Sequence, residues 1–91
     1  MLSNTSVVAN NGFGTYTLDA NTVGNYNNAF GQNALTSNTT GSNNTAMGQS
    51  AMSSNTTGGD NVAIGSGSLF DNTSGTRLVA VGKDALANNT T

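Results

Sequence analysis

The chain has 91 residues, of which Asn, Thr, Gly and Ser supply 52, while apolar residues make up 34% and charged residues 7%. That is one small domain at most, and the absence of His, Cys, Pro, Trp and Glu removes the thiolate nucleophile, the imidazole base, disulfides and the usual zinc and haem ligand sets. Two basic residues and a formal net charge of −2 exclude a protein that tracks a phosphate backbone, so no nucleic-acid partner is expected.

Low hydrophobicity would suggest disorder were the sequence not periodic. Residues 1–3 precede the pattern, and the start Met1-Leu2-Ser3-Asn4 has neither the basic region nor the apolar core of a secretion signal. From Asn4 the sequence repeats every 17 residues without insertion, giving units 4–20, 21–37, 38–54, 55–71 and 72–88 and the start of a sixth at 89–91. The units compose a single repeat domain over 1–91. No apolar run approaches the length of a membrane span, so no membrane insertion is expected.

Each unit opens on Asn (Asn4, Asn21, Asn38, Asn55, Asn72, Asn89) followed by Thr (Thr5, Thr22, Thr39, Thr56, Thr73, Thr90). The fourth position is glycine from the second unit to the fifth (Gly24, Gly41, Gly58, Gly75) and suggests a turn. Short stretches such as Val62-Ala63-Ile64 and Leu78-Val79-Ala80-Val81 alternate large and small as a strand does. The tenth position is large and apolar (Phe13, Phe30, Met47, Ile64, Val81), the eleventh is always glycine, and the fifteenth is again large and apolar (Leu18, Leu35, Met52, Leu69, Leu86).

A unit with two large apolar side chains cannot build its own core, so the units are expected to stack and bury both columns. The fold class this predicts is all-β: a parallel β-solenoid of five coils, with the tenth and fifteenth positions as core and the opening Asn and Thr as ladders between coils. Glycine at the eleventh position implies a bend with positive φ or a close backbone approach. A strand followed by a short helical turn, as at Gln32-Asn33-Ala34-Leu35-Thr36-Ser37, is the alternative for each coil. Asp60 and Arg77 share the sixth position in adjacent units and would mark the register as neighbours on consecutive rungs.

No catalytic, cofactor or metal constellation emerges, because Asp19, Asp60, Asp71 and Asp84 occupy scattered repeat positions with no partner base. The polar composition leaves little apolar burial per residue, so association with further copies is expected to complete the fold's stability. Phe70 and Leu78 interrupt small or polar columns and are candidates to bury against another chain. The sequence begins and ends within the repeat, which suits either a subunit that stacks head to tail or a stretch of a longer array. Tyr16 and Tyr26, at variable positions, could stack on sugar rings.

The segment Asn61-Val62-Ala63-Ile64-Gly65-Ser66-Gly67-Ser68, echoed by Val79-Ala80-Val81-Gly82-Lys83-Asp84-Ala85, resembles the head repeats of trimeric autotransporter adhesins. The Asn-Thr-Thr-Gly arrays with Ala-Phe-Gly and Ala-Leu are similar to those of phage tail-fibre and other virion-surface proteins. These resemblances cover 4–91 and imply a left-handed β-roll, a homotrimer or filament of this chain, and a surface glycan or matrix receptor as ligand. They imply an extracellular, cell-surface or virion-surface location. Gly41-x-x-Asn44-x-Ala46 is more loosely similar to curlin repeats, whose family forms functional amyloid, and the threonine row is similar to the surface of ice-binding solenoids. The expected function is therefore a self-associating, non-enzymatic structural building block, with ice binding and a curli-like amyloid subunit as alternatives.

Overall fold

The computed structural model describes residues 9–91, so Asn4 and Thr5 of the expected ladders lie outside it. Each unit contributes one three-residue strand: β1 (Asn11–Phe13), β2 (Asn28–Phe30), β3 (Thr45–Met47), β4 (Val62–Ile64) and β5 (Val79–Val81). The strands form one parallel sheet in chain order, each residue paired with its counterpart 17 residues later, as in Ala29 with Ala46 and Ala46 with Ala63. The molecule is an all-β solenoid, and no helix occurs among the described residues.

The helical alternative fails for a dihedral reason. Asn33 and Leu35 in the stretch Gln32 to Ser37 both have positive φ (64° and 52°), and the same holds at Ser50 and Met52 one coil later. Two left-handed residues so close together cannot continue a right-handed helix. The segment is instead a run of four-residue turns, closed by Ala34 N–H to Gly31 O (3.1 Å), Thr36 N–H to Asn33 O (3.3 Å) and Asn38 N–H to Leu35 O (3.2 Å). In the first, the third residue carries the positive φ that a type II turn requires, and Tyr16, Asn33, Ser50, Gly67 and Asp84 successively fill that place.

Both glycine columns are dictated by stacking. At the eleventh position φ lies near +125°, as at Gly48 (131°), and a Cβ there would stand 2.6 Å from the carbonyl carbon of Gly65. At the fourth position φ is ordinary, so the expected turn is not the reason for glycine. A Cβ on Gly41 would collide with the carbonyl oxygen of Gly58 and with Asn38 Oδ1 of its own coil.

The core differs from the expected one. Leu18, Leu35, Met52 and Leu69 of the fifteenth position are fully buried, together with Ala29, Ala46 and Ala63 of the strands and Ala34 and Ala51 of the turns. The tenth-position residues are not core: Phe13 is 63% exposed, Phe30 38%, Met47 41%, Ile64 39% and Val81 65%. Strand parity explains this, because side chains alternate between faces and the central small residue of each strand, Gly12 in β1 and alanine in β2 to β5, takes the inward place. The narrowest extent of the backbone is 15 Å, which leaves room between the walls for one large side chain per coil. Leu86 also departs from expectation, at 48% exposure, since no further described coil covers it.

These constraints set two stability expectations. Gly48→Ala should lower the folding free energy by about 3 kcal/mol or more, combining a φ closed to side chains with a backbone collision. Ser50→Gly, which places at a left-handed position the residue that Gly67 supplies one coil later, should raise it by about 0.5–1 kcal/mol. Urea denaturation of the purified chain measures both.

Candidate functional site

Two features could do work: the polar lattice inside the solenoid and the outer face of its sheet. The lattice rests on two columns of buried asparagine. In the first-position column, Asn38 Nδ2 donates to Asn21 Oδ1 (2.8 Å), Asn55 to Asn38 (2.8 Å) and Asn72 to Asn55 (2.9 Å), each toward the preceding coil. Asn89 continues it more loosely to Asn72 (3.4 Å). The same Nδ2 groups reach the glycine carbonyl of their own coil, for instance Asn38 to Gly41 O at 3.0 Å.

The second column, at the seventh position, is not among the ladder residues expected from sequence. Asn10, Asn27, Asn44 and Asn61 each donate from Nδ2 to the fourth-position glycine carbonyl of the next coil, all at 2.8 Å. Their Oδ1 atoms accept the backbone N–H of the next coil's seventh residue, at 3.0 Å for Asn27 and Asn44, 3.1 Å for Asn61 and 2.9 Å for Leu78. Each glycine carbonyl thus gathers one amide from its own coil and one from the coil before. The signal was an unbroken asparagine at one repeat position through four units, replaced by Leu78 in the fifth. Leu78 has no amide to extend the column and packs, partly buried, on its own chain's core.

The threonine row is a ladder of a different kind. Thr22, Thr39, Thr56 and Thr73 donate from Oγ1 to the main-chain carbonyl of the next threonine, at 3.2, 3.3, 3.4 and 3.3 Å. That carbonyl also takes several backbone N–H groups: Thr56 O accepts from Thr39 (3.1 Å), Thr40 (3.1 Å) and Gly41 (3.2 Å). The hydroxyls therefore serve the coil-to-coil junction, which accounts for the row without a ligand.

On the outer face of the sheet, the eighth and tenth positions form two parallel rows at one-coil spacing. The tenth-position row runs Phe13, Phe30, Met47, Ile64, Val81, and the eighth runs Asn11, Asn28, Thr45, Val62, Val79. Phe13 and Phe30 stack with centroids 4.9 Å apart and planes within 5°, so their faces meet each other along the rod. Beside them Asn11 Nδ2 donates to Asn28 Oδ1 (2.9 Å). The face therefore grades from aromatic and amide at β1 and β2 to wholly aliphatic at β4 and β5.

Left-handed residues border this face on both sides. The sixth-position edge carries Tyr26, Asn43, Asp60 and Arg77 at φ of 55° to 61°, and the thirteenth carries Tyr16, Asn33, Ser50, Gly67 and Asp84. Ala9 (φ 59°) opens the same row as Tyr26, and all five of its residues are exposed, so Tyr26 lies on an edge row, as does Tyr16 opposite. Phe70 is 41% exposed in a column otherwise made of Asp19, Thr36, Ser53 and Ala87.

Among the described residues no group of acidic, histidine or cysteine side chains is placed to hold a metal ion, and no cavity or cleft indents the surface. No helix is long and apolar enough to cross a membrane. Replacing Asn44 by Ala removes a donor from Gly58 O and strands the Asn61 N–H, both in the dry interior. A loss of about 2–4 kcal/mol is expected, readable as a lowered thermal midpoint, whereas Asn43→Ala at the exposed neighbour should shift it far less. Compared with protein-family models, curated proteins and solved structures, the chain matches none.

Proposed function

We propose that this chain is a structural building block that associates laterally with copies of itself through the outer face of its sheet, making a rod or fibre displayed on a virion or cell surface. The observation that carries this reading is the row Phe13, Phe30, Met47, Ile64, Val81, a line of apolar side chains left exposed on one wall and continuous along the whole sheet. Scattered apolar residues need no explanation, but a contiguous strip with polar borders marks an interaction surface. The strip repeats at the spacing of the coils, about 4.8 Å. A surface with the same repeat, which another copy has by construction, meets it residue for residue.

The rest of the molecule suits a framework role. Its buried asparagines are used up in holding coil to coil, and its acidic residues stand apart. The resemblance to adhesin heads and tail fibres fits the same reading, with a glycan or matrix ligand meeting the rows that remain outside the contact. Among assemblies, the position of the strip on the side wall favours lateral packing, a trimer included, over purely end-to-end growth.

The test is mass against concentration by light scattering. The unaltered chain should form a defined oligomer, a trimer being about three times 9.1 kDa. Val62→Lys with Ile64→Lys should keep the far-ultraviolet spectrum while weakening association by about 30-fold or more. An unaltered chain that stays monomeric at every concentration would sink the proposal.

A further inference from the structure

Lateral packing leaves open whether copies run in the same or opposite directions, and the borders of the outer face distinguish the two. The sixth-position edge precedes each strand by two residues and the thirteenth follows it by three, so the two edges flank the sheet. Charge on them is uneven. Within the fifth coil the first edge ends in Arg77 and the second in Asp84, both exposed. The carboxylate of Asp84 leans across Gly67, the one residue of its row without a side chain, so that a Cβ at Gly67 would collide with Asp84 Oδ1.

We infer, resting on the lateral association proposed above, that copies of this chain pack pointing the same way and level with one another, the sixth-position edge of one against the thirteenth-position edge of the next, so that Arg77 of one copy meets Asp84 of its neighbour. In this arrangement Lys83, beside Asp84, also comes level with Arg77, and the remaining levels set no like charges together. Asp60 faces the hydroxyl and glycine of Ser66 and Gly67, Asn43 faces Gln49 and Ser50, and Tyr26 faces Gln32 and Asn33.

An antiparallel pair would instead bring Arg77 to the level of Ala9 and Asp60 to that of Tyr26, with no charge matched. Its one advantage is volume, since Phe13 would meet Val81 and Phe30 would meet Ile64. Parallel copies accommodate that taper by a slight tilt, and Asn11 and Asn28 keep the hydrogen bond between them in either arrangement. Parallel packing sets the eighth-position row of one copy against the tenth-position row of the next, Asn11 and Asn28 over Phe13 and Phe30 and Val62 and Val79 over Ile64 and Val81, so the charged edges are what distinguish the two arrangements.

The inference makes a charge-exchange experiment decisive. Arg77→Asp sets a second carboxylate against Asp84 of the neighbour, and Asp84→Arg sets two guanidinium groups together. Each should weaken self-association by about 3- to 10-fold at low salt, and the effect should shrink in about 0.5 M sodium chloride, where screening removes exposed pairs. The chain carrying both substitutions should recover to within about twofold of the unaltered affinity. Arg77→Asn and Asp84→Asn, which suit the left-handed backbone, guard against misfolding and should each weaken association by a smaller factor that also fades with salt. If the unaltered chain associates and neither single reversal changes its affinity, or the double reversal is weaker than both singles, the parallel arrangement is wrong while lateral association stands. If the unaltered chain never associates, both fail.

Discussion

The structure depends on a buried carbonyl. At each fourth position a glycine oxygen takes one asparagine amide from its own coil and one from the coil before, in an interior closed to water. Left unsatisfied, such a group would cost about 1–3 kcal/mol, so each coil is bound to the next by a requirement more than by an attraction. The requirement fixes residue type as well as register. Only glycine leaves space for the next coil's carbonyl, and only a side chain with adjoining donor and acceptor can both reach that oxygen and receive the following N–H.

This interior explains how a chain with so little apolar content folds. Leucine and methionine of the fifteenth position and the small alanines fill one part of the section, and amides the other. The two amide columns also point in opposite senses. First-position amides donate back toward the preceding coil and seventh-position amides donate forward, so their dipoles oppose one another along the rod. Side-chain order thus adds little to any net polarity of the stack.

Much of this was legible in the residues. A period held without insertion announced a solenoid, and the invariant glycine and fifteenth-position leucine announced a bend and a core. The column from Phe13 to Val81 misled because recurrence of a large apolar residue was read as burial, when the same periodicity serves an outward row just as well. The polar residues Asn11, Asn28 and Thr45 share that face by strand parity, and the small residue between the two rows marks the cramped inner side. The seventh-position asparagines were visible as a column, but nothing local revealed that their amides close on another coil's glycine. That is a contact across a junction, set by how far the coil turns before it returns.

Because the coils bond only to their neighbours along the axis, the molecule has a mechanical character distinct from that of a globular domain. Pulled from one terminus, it would peel rather than shear, releasing one coil at a time as a row of backbone and amide bonds gives way together. Each release frees 17 residues, which extend to about 55 Å of chain. The result is a ratchet of nearly equal steps, in which a fibre under load lengthens in stages and can rewind on the intact edge that remains.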